Sequence, residues 1–260
     1  MEKKTVSRDG TGIAYRRSGS GPVVVLVSGA MSTGATMAPL AAELTDRFDV
    51  VVYDRRGRGE SGDTAPYSVE REIEDLAALI DALGGEASLY GMSSGGALVL
   101  RAAASGLPVR RLAVYEVPYT GDDDAAVRAG AEYSERLTEA LEEGRRGDAV
   151  ELFLRRTGLG EEMIRGARQS PMWAGMESVA PSLEYDDAVM GDGRVPASAI
   201  ASVTAPLLVL AGGASEAWWH EAARAIAEAA PDGRYAAVDR QTHMVEPGVL
   251  APVLAEFLAG

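Results

Sequence analysis

Short uninterrupted apolar runs recur along the chain, separated by stretches in which apolar residues return every three or four positions. Val23-Val24-Val25-Leu26-Val27 and Val50-Val51-Val52-Tyr53 are runs of the first kind. Neither alternates with polar residues, the pattern of a strand covered on both faces. Ala87 to Tyr90, Leu112 to Tyr115, Leu207 to Leu210 and Tyr235 to Val238 also read as strands. Between the runs, Thr36 to Leu44 reads as a helix. Val69, Ile73, Leu76, Ile80 and Leu83 share one helical face, with Ser68 placed to cap it and Gly84-Gly85 to stop it. A helix through Ala222 to Ala229 follows later. A last one carries Leu250, Val253, Leu254, Phe257 and Leu258, with Pro247 near its start. At the front, Thr5 to Arg8 and Gly12 to Arg17 alternate about Asp9-Gly10 and predict a hairpin. Strands alternating with helices imply a mostly parallel, doubly wound α/β sheet, and such sheets bind ligands beyond the carboxyl ends of their strands.

The alternation lapses over 119–203. Tyr133, Leu137 and Leu141 share one helical face and Val150, Phe153 and Leu154 another, while Met163, Met172, Trp173, Met176, Tyr185 and Met190 follow without strand signals. The expectation is a core over 1–118 and 204–260, with a helical cap over 119–203 lying above the strand ends. A cap has to cover something apolar. Met172 and Trp173, with Met31 and Met92 from the core, are therefore candidate substrate contacts.

Composition narrows the chemistry. At 260 residues and 47% apolar, the chain can bury one large core. A formal net charge of −14 argues against nucleic acid and anionic membrane as partners and leaves a small molecule as the expected one. The absence of cysteine excludes disulfides, a thiol nucleophile and thiolate metal sites. Met1 to Asp9 lacks an apolar leader-like core, and Val23 to Val27 is too short to cross a bilayer, so a cytoplasmic location is expected. Nothing in the pattern specifies an oligomeric state.

The sharpest chemical signal is Ser93, in Gly91-Met92-Ser93-Ser94-Gly95, where a strand pattern meets a helix pattern. A serine on so tight a turn has a strained backbone, and flanking side chains would collide with the neighbouring strand and helix. The turn exposes the hydroxyl, and the helix beginning there offers N–H groups to a developing oxyanion. No metal-ligand cluster emerges: Asp122-Asp123-Asp124 lacks ion-binding spacing and reads as a solvated helix start. Gly57-Arg58-Gly59-Glu60-Ser61-Gly62 has the spacing of a dinucleotide loop, but Asp63-Thr64-Ala65-Pro66 follows it instead of a helix, so it reads as a structural turn.

Four motifs now stand in order: Leu26-Val27-Ser28-Gly29-Ala30, Tyr53-Asp54-Arg55-Arg56-Gly57-Arg58-Gly59-Glu60-Ser61, the Gly91–Gly95 turn, and Gln241-Thr242-His243 before the last helix. Together they resemble the α/β-hydrolase superfamily, in the form with a helical cap inserted after the sixth strand, over nearly the whole chain. The resemblance implies an eight-stranded, mostly parallel sheet. It makes Ser93 a nucleophile, His243 its base, and the N–H groups of Ser94 and Ala30 the oxyanion hole. The other histidine, His220, lies at a helix start and reads as a packing or solvated residue. Most relatives carry an aspartate in the turn after the seventh strand, where this chain has Ser215. Glu216 is one residue late; Glu116 ends the sixth strand, the position certain haloalkane dehalogenases use. Glu116 is the favoured acid, and Glu216 stays open. Ser93 excludes the dehalogenase reaction itself, which needs an aspartate nucleophile.

The implied function is a cofactor-independent serine hydrolase of an ester, lactone or thioester of a small, mostly apolar molecule. The alternatives are a non-hydrolytic enzyme on the same site, making or breaking C–C bonds, eliminating or cyclising in specialised metabolism, and a non-catalytic receptor. The fold hosts many reactions, so motif and fold do not choose among them.

Overall fold

The computed structural model describes residues 2–120 and 123–260. One sheet contains β1 (Glu2–Val6), β2 (Gly12–Gly19), β3 (Val23–Val27), β4 (Asp49–Tyr53), β5 (Ala87–Met92), β6 (Val109–Tyr115), β7 (Leu207–Gly212) and β8 (Gly233–Val238). Their spatial order is β1-β2-β4-β3-β5-β6-β7-β8. β2 pairs antiparallel with β1 and β4, and all other neighbours are parallel. The helices are α1 (Ala38–Leu44), α2 (Val69–Ala82), α3 (Ser94–Ala104), α4 (Asp124–Glu142), α5 (Arg146–Arg156), α6 (Glu161–Arg168), α7 (Trp173–Val179), α8 (Leu183–Met190), α9 (Ala197–Ile200), α10 (Ala217–Ala229) and α11 (Pro247–Ala259).

The apolar runs of the central strands feed two layers because successive side chains point to opposite faces. Val25, Val27, Val51, Leu89, Val114 and Val209 pack with Leu76 of α2, Leu98 of α3 and Ile226 of α10. Val24, Leu26, Val50, Tyr90, Tyr115 and Leu210 pack with Leu40 of α1 and Leu254 of α11. The sheet is doubly wound, with its parallel strands delivering their carboxyl ends to one edge.

Several boundaries differ from the sequence pattern. β1 lies over Glu2–Val6, not Thr5 to Arg8, because the turn claims Ser7 to Thr11. There Thr11 N donates to Asp9 Oδ1 at 2.9 Å and Ser7 N to Thr11 O at 2.8 Å. The first helix opens as a tight 3₁₀ turn over Gly34–Met37 before α1. Ser68 stands at the N-cap of α2 with extended backbone, but its side chain makes no capping bond. α10 starts at Ala217, ahead of the expected Ala222, which carries Trp218, Trp219 and His220 onto its first turn.

Between β6 and β7 the described residues form helices only, α4 to α9 with one 3₁₀ turn. Leu137, Ala140, Ala149, Val150, Leu152, Trp173, Ala180 and Leu183 make an apolar cluster of their own, against which Ala30 and Met31 pack. α8 and α9 pack on α3. Asp122 lies outside the described residues. Asp123 caps α4, accepting from Ala125 N at 2.8 Å and Ala126 N at 3.3 Å, and Asp124 pairs with Arg194. Among the described residues there is no group of three or more His, Cys, Asp or Glu that could hold a metal ion, and no helix is long and apolar enough to cross a membrane.

Candidate active site

β5 ends at Met92 and α3 begins at Ser94, so Ser93 reverses the chain within a single residue. Its φ of 55° and ψ of −128° lie where a residue with a side chain costs roughly 1–3 kcal/mol. Ser93 N donates to Tyr115 O at 2.9 Å, which ties the turn to β6. The flanking glycines are required by close approach. A Cβ on Gly91 would stand 2.4 Å from Gly95 O, and one on Gly95 would stand 2.5 Å from Val27 O. The positive end of α3 begins directly after the serine, a setting that favours negative charge.

Glu116 follows β6 and also has positive φ, 44°. Its N–H still donates to Leu210 O at 2.9 Å, so the backbone stays on β7 while the side chain turns into the interior, 0% exposed. Oε2 lies 2.9 Å from His243 Nδ1. Oε1 accepts from Gly212 N at 2.8 Å and from Ser215 Oγ at 2.5 Å. Burial pushes the Glu116 carboxyl pKa up, but hydrogen bonds from His243, Ser215 and Gly212 outweigh it and hold the group below the ordinary glutamate range. The partners are an imidazole, a hydroxyl and an amide, not an arginine. Glu216 is turned elsewhere: it is the exposed N-cap of α10 and accepts from Trp218 Nε1 at 2.8 Å.

His243 stands in the loop between β8 and α11, 37% exposed. The Tyr115 hydroxyl donates to Thr242 O at 2.7 Å. Two successive residues at the end of β6, Tyr115 and Glu116, therefore hold the histidine loop at two points. Trp219 stacks on the His243 ring, centroids 4.9 Å apart and planes 22° apart, and Trp218 stacks on Trp219 at 3.9 Å. His220 is engaged with Tyr235, its Nδ1 2.7 Å from the phenol oxygen.

The turn after β3 borders the serine: a Cβ on Gly29 would stand 2.9 Å from Ser93 Cβ. Met31, two residues on, takes a φ of 55° and packs with Ala30 against the helical cluster. Met92 is half-buried beside the apolar layer of α1 and α11. Trp173 is buried inside the helical cluster, with the Arg168 guanidinium 5.7 Å above its ring. Met172 is 73% exposed.

Residues 24–252 match the family model described as the alpha/beta hydrolase family. The chain belongs to that family. An alpha/beta hydrolase of solved structure from Sphaerobacter thermophilus is 53% identical, with a TM-score of 0.89 over 98% of this chain and 99% of that one. The 2-(acetamidomethylene)succinate hydrolase of Mesorhizobium japonicum is 29% identical over 77% of this chain and 74% of its own length. The polyketide synthase ThaQ of Burkholderia thailandensis is 40% identical over 89 residues, 34% of this chain but 4% of that protein.

Three features of this family member escape the sequence reading. Ser215, at the position where an aspartate was expected, donates to the displaced carboxylate. Trp219 covers the histidine, and its signal would have been an earlier start of α10. Arg58, read as part of a structural turn, reaches Gly29 O at 2.7 Å. A buried guanidinium demands acidic partners. Glu72 and Asp75, interleaved with Ile73 and Leu76 on the inner side of α2, signal such pairing for Arg55 and Arg56, whereas the acid that meets Arg58 is Asp186 of α8.

Proposed function

We propose that this hydrolase-family protein is a cofactor-independent serine hydrolase that cleaves an ester, lactone or thioester of a small, mostly apolar molecule. The observation that carries the reading is the buried Glu116 carboxylate 2.9 Å from His243 Nδ1, one strand away from a serine held in a strained turn. Glu116 fixes the imidazole with Nδ1 protonated, leaving Nε2 free to take a proton. Ser93 Oγ attacks the acyl carbon as its proton passes to His243. The carbonyl π pair moves onto oxygen, held by the N–H groups of Ser94 and Ala30. Collapse restores the C=O, breaks the bond to the leaving group, and the proton on His243 goes to that group. Water repeats the sequence on the acyl-enzyme. Each N–H donor contributes about 3 kcal/mol to such a transition state. The helices between β6 and β7 act as a cap over the strand ends, and Met31, Met92, Met172 and Trp173 are the proposed substrate contacts. The name of the Mesorhizobium relative, 2-(acetamidomethylene)succinate hydrolase, supports hydrolysis as the reaction.

A fluorophosphonate probe is expected to label Ser93 of the native protein, and p-nitrophenyl acetate to be hydrolysed, both abolished in Ser93→Ala. Retention of full turnover by Ser93→Ala would exclude nucleophilic catalysis. Labelling with turnover only of substrates that cyclise or cleave a C–C bond would move the site to non-hydrolytic chemistry.

A further inference from the structure

Behind the Gly29–Ala30 turn lies a charge cluster that this chemistry leaves unused. Arg58 is fully enclosed. Its Nη1 donates to Gly29 O at 2.7 Å and to Ser32 O at 3.3 Å, and its Nη2 to Asp186 Oδ2 at 2.7 Å. Arg55 Nη1 donates to Asp186 Oδ1 at 2.7 Å, while its Nε and Nη2 are held by Glu72 at 2.8 and 2.7 Å. Ser94 Oγ donates to the same Asp186 Oδ1, also at 2.7 Å. One carboxylate, delivered by α8, thus grips both turns beside Ser93: the turn after β3 through Arg58, and the start of α3 through Ser94. Among the described residues, Arg58 Nε has no hydrogen-bond partner. A buried guanidinium with an unpaired N–H is poorly suited to a purely stabilising role, because desolvating it is costly and part of that cost stays uncompensated.

The contact with Gly29 O has a geometric consequence. A trans peptide is planar, with its C=O and N–H pointing in opposite directions. Fixing the Gly29 oxygen therefore fixes the Ala30 hydrogen on the other side. A full positive charge at the oxygen also draws electron density along the amide and strengthens the N–H as a donor. We propose that Arg58, anchored by Asp186, is a positioning residue for the oxyanion pocket: it holds and polarises the Gly29–Ala30 peptide so that Ala30 N–H meets the charge developing on the substrate carbonyl oxygen. The proposal rests on the serine hydrolase reading above.

The test compares p-nitrophenyl acetate with its thiono counterpart, in which C=S replaces C=O. Sulfur is a poor hydrogen-bond acceptor and gains little from the donor. Arg58→Met is expected to lower kcat on the oxygen ester by roughly ten- to a hundredfold with KM little changed, and on the thionoester by less than about threefold. Asp186→Asn is expected to show a weaker form of the same selective loss. Arg56→Met removes an equally buried guanidinium, paired with Asp75 and Asp9, and should leave the oxygen-to-sulfur ratio at its native value. Equal losses on both esters in Arg58→Met would overturn the proposal and make Arg58 an ordinary structural residue. If Arg58→Met does not fold by circular dichroism, Asp186→Asn decides, and an unchanged ratio in that variant overturns it too. A native protein that neither takes the fluorophosphonate nor hydrolyses the ester removes the Ser93 reading and this one with it. That outcome is distinct from an active, labelled enzyme whose ratio ignores Arg58.

Discussion

On one side of Ser93 the Glu116 carboxylate meets an imidazole, a hydroxyl and an amide. On the other side the Asp186 carboxylate meets two guanidinium groups and a hydroxyl. Both anions are buried, and both are held below the ordinary carboxylate range. Burial opposes ionisation in each case; Arg58 and Arg55 overcome it at Asp186, and three hydrogen bonds do so at Glu116. The difference is permanence. Arginine stays charged at any pH a protein survives, so the Asp186 side has a fixed field. The Glu116 side faces a group able to gain and lose a proton. On the proposed mechanism, one flank is scaffold and the other is where charge moves.

The largest separation of the two flanks should come from removing their anions. Glu116→Gln should lower kcat on p-nitrophenyl acetate by roughly a hundred- to ten-thousandfold, or about 3–5 kcal/mol, with little change in KM and a smaller loss of stability than Asp186→Ala. An amide cannot stabilise the imidazolium and can favour the wrong tautomer. Asp186→Ala should reverse the balance. It leaves the buried Arg58 guanidinium without a carboxylate while Arg55 keeps Glu72, and urea unfolding should show a loss of about 3–5 kcal/mol. If Glu116→Gln melts the protein while Asp186→Ala leaves stability intact, the comparison is wrong.

Acid should strain both flanks. Each carboxyl has a folded-state pKa below its unfolded one, so its stabilisation is complete above the ordinary carboxylate range. It is lost as pH falls through the depressed folded value. Stability measured by urea unfolding should therefore be level through neutral pH and fall only in the acid region. In Glu116→Gln the acid fall should be shallower, since one of the contributing carboxylates is gone. An unaltered slope would mean that Glu116 is not ionised in the native state.

Smaller effects sharpen the histidine side alone. Ser215→Ala removes one hydrogen bond to a buried carboxylate and should lower stability by about 1.5–3 kcal/mol, with turnover falling less than in Glu116→Gln. Trp219→Leu removes the stacked ring. The acid limb of the kcat/KM profile should shift to lower pH, because an aromatic face favours the imidazolium by roughly 0.5–2 kcal/mol. A shift to higher pH would mean that Trp219 serves only to exclude water. Glu216→Gln should be nearly silent, its carboxylate being spent on Trp218.

Local pattern carried much of this into the sequence. The apolar runs at Val23 and Val50 announce buried strands because nothing else buries so many β-branched residues in a row. Gly91 and Gly95 announce the tight turn because only the smallest residue fits. Glu116 was noticeable because a carboxylate ending an apolar strand needs a partner. What stayed hidden was long-range charge. Arg58 and Asp186 lie far apart in the chain, and Asp186 reads locally as one more acid on an amphipathic helix. Its selection by two arginines and Ser94 exists only once α8 lies on α3. Trp219 was hidden for a smaller reason. Trp219 stands three and four residues before Ala222 and Ala223, on the face that Ile226 continues, but reading the helix only from Ala222 gave the ring no direction.

The position of Asp186 limits how this chain can be recombined. α8 lies within the stretch between β6 and β7, the segment proposed as a cap and an inviting one to exchange with a relative. Any graft that replaces α8 would have to bring an anion of its own to the same point. Otherwise it would strand the Arg58 cation, Arg55 alone keeping a carboxylate in Glu72. A transplant cut to spare Leu183–Met190, exchanging only the helices before it, would carry no such debt of charge.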